Sequence, residues 1–503
     1  MPRPFPVALA LCGLLLLCQP GLAQPRNAPP ARLPTGLPVA LPPLGTVQPR
    51  NANEIGSSNW LIGCETLDRD MADYEQYKAY LVPLGIRRLR LQAGWAKTEK
   101  TKGKYDWAWL DKIINDATSR GLQPWLETSY GNPVYPGGGG INLSAGLPTS
   151  PEALAAWDRW VEALVKRYKD KVKEWEVWNE PNFGDNTINP PALVADLNIR
   201  TAEIIKRLQP EARISGLSMG HIDLDYADAF FKILHEKGKM PLFDNMTYHD
   251  YVYNPDANHG RVAELRRVLD RYAPQVKLRQ GENGAPSVGG FGRGALGDYP
   301  WSELTQAKWI TRRMLGNLGH DIECSILGII DMNYNLPGSP ITKLNVKGII
   351  QSDSTRRAVR PKMAYHAMQH VASVFDHSLQ RIPQVKHTHN KNLPSPGQQT
   401  VLYTVSTDRS LSVYGYQHRQ TGRQVFTLWM DEHIPGEDNM PKPLNFTFTN
   451  GNFDQPVLVD VISGKVYDLP ADQWRKEGNT YSFTNVPVYD APVLIADKSL
   501  IPM

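Results

Sequence analysis

Two glutamates stand where a chain places chemistry more readily than packing. Residues 173–182, KEWEVWNEPN, are an apolar, β-rich run that stops on Asn179-Glu180-Pro181. Residues 276–283, VKLRQGEN, stop in the same way on Glu282, 102 positions further on. A carboxylate at the end of a buried run is costly unless it is paired or used. Two converging carboxyls, one protonated and one ionised, can give a proton to a departing oxygen while attacking the carbon it leaves. The bond that calls for such a pair is an acetal, as between two sugars.

Whether the two glutamates meet depends on the elements that carry them. Short apolar runs at 59–63, 87–92, 122–128, 174–178, 212–218, 243–249, 276–282 and 325–332 alternate with amphipathic, helix-period stretches. Eight strands separated by helices pair in parallel, and eight such units close into a ring. The expected fold is α/β, a (β/α)8 TIM barrel over residues 51–376. From 377 to 503 the grammar changes to short strands divided by Gly, Asn, Asp and Pro, which predicts a C-terminal β-sandwich. Before the barrel, residues 1–23 combine Arg3, an apolar VALALCGLLLL run and Gly21-Leu22-Ala23, the pattern of a secretory signal peptide. Residues 24–50 are Pro-rich and read as a linker or surface arm.

In such a barrel function gathers where strands end. Glu180 then lies at the end of strand four and Glu282 at the end of strand seven, on opposite sides of the ring. The same rim receives Glu65, Arg90 with Gln92, Glu127, His249 with Tyr251, and Asp331, Asn333 and Tyr334. Trp95 and Tyr130 fall beyond their strands and are candidate stacking platforms, whereas Trp125 and Trp178 fall inside strands and read as core. Carboxylates, amides and aromatics in one ring suit a ligand rich in hydroxyls with flat C–H faces, an oligo- or polysaccharide or other glycoside.

WNEP at the end of strand four, with a second Glu ending strand seven, resembles glycoside hydrolase clan A. RLRLQ followed by Trp95, GKYDWAWLD and LETSYGNP resemble family 39 within it, which includes β-xylosidases and α-L-iduronidases. The likeness spans roughly residues 55–375 and implies a retaining hydrolase working by double displacement. It assigns the acid/base to Glu180, the nucleophile to Glu282 and a contact with the sugar 2-hydroxyl to Asn179. Arg90 would keep the nucleophile ionised, and His249 and Tyr251 would orient the carboxyls. Gln92, Glu127, Trp95, Tyr130 and Tyr334 complete the expected substrate-binding set. The chain departs from the family where GENGAPS follows the nucleophile, where Gln92 replaces a common His, and where strand eight lacks a frequent Trp. A non-catalytic carbohydrate-binding barrel, or a transglycosylase with the same site, fits the same motifs.

Composition removes other classes. Fifty-five basic and 51 acidic residues leave a net charge of +4, which gives no electrostatic case for nucleic acid. No run after the leader reaches the roughly 18 apolar residues of a membrane span. No His/Cys cluster has metal-ligand spacing and no Gly-rich loop follows a strand as a phosphate cradle, so neither a metal nor a cofactor is expected. With Cys12 and Cys18 in the leader, Cys64 and Cys324 remain, as one disulfide or two buried thiols. The expected location is secreted or periplasmic. Nothing in the sequence speaks to oligomeric state.

Overall fold

The computed structural model describes residues 36–503 apart from 58, 144, 184–186, 291–293, 335–343, 386 and 392–410, with the backbone alone at 388–391. The expected signal peptide lies outside the described residues. Eight parallel strands close into a barrel: β1 (Trp60–Gly63), β2 (Arg88–Gln92), β3 (Gln123–Thr128), β4 (Glu174–Val177), β5 (Arg213–Met219), β6 (Asn245–Tyr248), β7 (Lys277–Asn283) and β8 (Glu323–Ile326). The ring is sealed where Trp60 pairs with Cys324. Each strand precedes a helix: α1 (Tyr74–Leu81), α2 (Ala108–Ser119), α3 (Pro151–Tyr168), α4 (Pro191–Leu208), α5 (Leu224–Glu236), α6 (His259–Asp270), α7 (Glu303–Gly319) and α8 (Met363–Val374).

Local chemistry explains these elements. In α3, Ser150 caps the Ala153 amide, Pro151 opens the first turn, and Ala153, Trp157, Trp160, Val161 and Leu164 recur on one buried face. Inside the barrel, the Trp125 ring lies between two guanidinium groups, 5.4 Å from Arg90 and 4.8 Å from Arg279. Trp125 and Trp178 are core residues, as their strand positions predicted. The eighth strand corrects the sequence reading. It ends at Ile326, and the apolar residues after it are buried without joining the ladder, so Asp331 is carried off the rim to a buried ion pair with Lys362 at 2.6 Å.

The C-terminal region is all β. One antiparallel sheet runs in the order Pro43–Thr46, Lys465–Asp468, Pro456–Asp460, Val493–Asp497, Gln424–Met430, Leu411–His418, Leu379–Ile382. A second holds His387–Lys391, Lys442–Phe448, Thr480–Val488 and Trp474–Glu477. Phe426 of the first sheet stacks on Phe448 of the second at 4.0 Å, and Phe453 and Phe483 extend that core. The Pro-rich arm contributes the edge strand Pro43–Thr46, and Leu37 and Val47 beside it are buried. An edge position is where a sheet tolerates proline, so composition hid this strand.

Helix α7 joins the two regions. It is buried on every side, although it carries Lys308, Arg312 and Arg313. A helix buried all round is normally apolar; here the charges find partners across the junction. Lys308 meets Asp490 at 2.6 Å, and Arg312 meets Asp256 at 2.6 Å while donating to the carbonyls of Asp431 and His433. Cys64 and Cys324 are separate, buried thiols.

Candidate active site

Strand register assembles the site from the inside outward. Gln92 pairs with Glu127, and Glu127 with Glu176, so three polar side chains stand side by side across β2, β3 and β4. Arg90 projects among them, fully buried. Its Nε donates to Glu176 (2.8 Å), its Nη1 to Glu65 and to Glu282 (3.0 Å each), and its Nη2 to Asn179 (2.8 Å) and to Glu127. One guanidinium thus uses its fork on four carboxyl groups and an amide. Glu282, near the end of β7, also accepts from the Tyr251 hydroxyl at 2.6 Å. Glu180 follows β4 with φ 48°, as does Trp178 with φ 65°, left-handed conformations that non-glycine residues rarely adopt. That geometry turns the Glu180 carboxyl toward His249, whose Nδ1 lies 2.7 Å from it and 3.8 Å from Glu282. One atom each of Glu180, His249 and Glu282 lies within 4.8 Å of the others.

The electrostatics separate the carboxyls. Burial alone would push Glu282 up, but His249, Arg90, the Tyr251 hydroxyl and Lys347 together hold it below the ordinary glutamate value. Burial lifts Glu65 to about 7 against the pull of Arg90, with Glu282 adding to the rise. Burial likewise raises Glu127, again against Arg90. His249 is raised, because the charges of Glu282 and Glu180 outweigh the desolvation that lowers it. Glu282 is thus held down while burial pushes Glu65 and Glu127 up. The same Glu180, His249 and Glu282 atoms are a donor set a divalent cation could use, but Arg90 and Lys347 already bring positive charge to this spot and oppose a second cation.

Comparison with solved structures places this architecture. Over 90% of this chain and 83% of its own length, a family 39 glycoside hydrolase from Bacteroides cellulosilyticus WH2 superposes with a TM-score of 0.60 at 17% identity. A GH39 β-xylosidase from Caulobacter crescentus does so with a TM-score of 0.55 at 17% identity, over 91% of this chain and 99% of its own. The fold is that of the family 39 glycoside hydrolases. No family profile matches the chain. Among curated proteins, a β-galactosidase from Geobacillus kaustophilus is 31% identical over 118 residues, 20% of this chain. The matched stretch spans 17% of that relative's length.

On this family 39 fold the expected residues divide into three groups. Glu180, Glu282, Asn179, Arg90, His249, Tyr251, Tyr130 and Tyr334 gather in one connected cluster. Asn179 bridges Arg90 and Tyr130, donating to the latter's hydroxyl at 2.7 Å, and Arg69 lies 4.7 Å over the Tyr130 ring. Tyr334 accepts from Asn345 at 2.8 Å. Gln92 and Glu127 stand behind that front. Gln92 accepts from Arg69 and the Thr66 amide while donating to Glu127, so its amide braces the cluster. Trp95 is not gathered at all. Its ring is fully buried, packed against Tyr135, Trp157 and Trp160, with Nε1 on Glu99. The short helix Trp95–Thr98 turns it back into the core.

Several members escaped the sequence reading. Glu176 lies inside EWEVW, where alternation alone would have pointed it inward with Glu174. Gly220 follows β5, and an added Cβ there would stand 3.0 Å from Glu180 Cδ and 3.1 Å from its Cγ. Lys347 and Asn345 come from the long segment after β8, where no periodicity announces a site.

Proposed function

We propose that the protein is an exported retaining glycoside hydrolase. The observation that carries this reading is the approach of one carboxyl oxygen each of Glu180 and Glu282 to within 4.8 Å, with Glu282 held below the ordinary glutamate value. A retaining pair is spaced by about 5–5.5 Å, close enough for one carboxylate to reach the anomeric carbon, whereas an inverting pair leaves room for water at about 6.5–9.5 Å. In the first displacement a Glu282 oxygen bonds to the anomeric carbon, the glycosidic C–O bond breaks, and Glu180 gives its proton to the departing oxygen. In the second, Glu180 takes a proton from water, the water oxygen bonds to the same carbon, and Glu282 is released. His249 Nδ1 lies 2.7 Å from a Glu180 oxygen, within hydrogen-bond reach, which orients that carboxyl. The apolar run at residues 7–17 supports export.

A family 39 structural neighbour is named as a β-xylosidase and a sequence relative as a β-galactosidase, so β-xylosides and β-galactosides head a panel of aryl glycosides. Turnover of one of them is the expected result. Glu282→Ala should then lose activity by at least about a thousandfold, and azide should restore product of inverted anomeric configuration. Full activity in Glu282→Ala, or product of inverted configuration from the wild type, stands against the reading.

A further inference from the structure

Lys347 is buried, with 1% of its surface exposed, yet among the described residues no carboxylate lies within ion-pair distance of its ammonium. The other buried lysines of this fold differ. Lys308 touches Asp490 and Lys362 touches Asp331, each at 2.6 Å. Lys347 Nζ instead lies 5.2 Å over the ring of Tyr251, whose hydroxyl donates to Glu282 at 2.6 Å. The fold makes room for it. Gly294, with φ 93°, leaves a space in which an added Cβ would sit 2.7 Å from Lys347 Nζ, and the Lys347 amide is fixed by Asn345 Oδ1 at 3.2 Å. A buried ammonium without a contact partner is expensive, and it persists where its field is used.

We propose that Lys347 is a positioning residue of the double displacement, a buried amine that in its protonated form favours whichever of Glu282 and Glu180 carries the negative charge. This rests on the hydrolase reading above. In the free enzyme that charge is on Glu282. Once the Glu282 oxygen is bonded to the anomeric carbon and the Glu180 proton has left with the aglycone, the charge is on Glu180. Arg90 contacts only the first of the two, whereas Lys347 interacts with both through space. Burial brings the lysine down to about 7, against the upward pull of Glu282 and then Glu180. The groups that face Glu282 are Arg90 from β2, His249 and Tyr251 from β6 and its loop, Glu65 after β1, Glu180 after β4, and Lys347 after β8. Those that face Lys347 are Tyr251, Glu282 and Glu180, with Tyr334 tied in through Asn345.

The test is the acid limb of kcat/KM, which reports the ionisation of Glu282 in the free enzyme. Lys347→Met should move that limb up by about one pH unit, about a tenfold loss of kcat/KM below it. Lys347→Arg, which keeps the charge, should leave the limb where it is in the wild type. The position of a limb does not depend on the fraction of enzyme that folds, so partial misfolding of a variant does not blur the reading. An unmoved limb in Lys347→Met, or an equal shift in Lys347→Arg, overturns the inference. An aryl glycoside that the wild type does not hydrolyse at all would instead defeat the hydrolase reading on which it stands.

Discussion

Arg90 carries one positive charge and touches four glutamates, so its charge is shared among them. The burden is divided by depth. Glu282, at the mouth, is served by Arg90, His249, Tyr251 and Lys347 and stays an anion; Glu65 and Glu127, further in, are pushed upward by burial. A nucleophile needs that outcome, and a structural salt bridge would not require so many cations at one end. Glu180, the proposed acid/base, is placed by space as much as by charge. Because the atoms of Glu180 fill the volume above Gly220, Gly220→Ala should displace the carboxyl by a few tenths of an ångström. The expected result is a fall in kcat on the order of tenfold with KM nearly unchanged. The thermal midpoint should move little. Wild-type kcat in Gly220→Ala would show that Glu180 tolerates the shift.

At the scale of elements, α8 rests on the C-terminal sheet through His370, whose Nδ1–H donates to the Val461 carbonyl at 2.9 Å. Burial holds this imidazole down at about 4, from an ordinary value of 6.5. Between those values the unfolded chain binds a proton that the folded chain refuses, so stability is present above pH 6.5 and is lost as pH falls toward 4. His370→Gln keeps a donor for Val461 and removes the titration, so its thermal midpoint should drop less than the wild type's between pH 7 and pH 5. An identical drop would assign the acid sensitivity elsewhere. Elements were also the most legible scale in the sequence. Helices α1–α8 and the eight barrel strands could be read from period, Pro, Gly and capping residues, because most bury one face against their neighbours, whereas the one-turn helix Trp95–Thr98 gave no such period. The front of the site followed from one rule, that strand ends face the opening. That rule failed where a strand stopped early, as β8 did at Ile326, and where a residue past a strand turned inward, as Trp95 did. It was silent for Lys347, which reaches the site by tertiary placement alone, and for Gly220, which stands at a strand end but has no side chain to signal a role.

Across the whole molecule, barrel and sandwich are joined through the loop after β6. Trp309 of α7 donates to the carbonyls of Val252 and Tyr253, the Asn254 amide group reaches Asp431, and Asp256 is held by Arg312. Tyr251, the hydroxyl partner of Glu282, begins that loop. Arg312→Ala would leave Asp256 buried without its partner and should cost about 3–5 kcal/mol of stability. Urea unfolding measures that loss, and a change below about 1 kcal/mol would mean that the junction relaxes around the missing charge.

The edge strand Pro43–Thr46 has a consequence for how this protein could be divided. It enters the sheet that Val493–Asp497 also joins, so the polypeptide visits the sandwich, builds the entire barrel, and returns. No single scission separates the two modules cleanly. A fragment starting at residue 51 and ending at 376 loses both the first strand of the neighbour and the wall that fastens Tyr251, while a fragment starting at 377 leaves Lys465–Asp468 with an open flank. Barrel and sandwich are consecutive in name only; by their threading they are one inheritable unit.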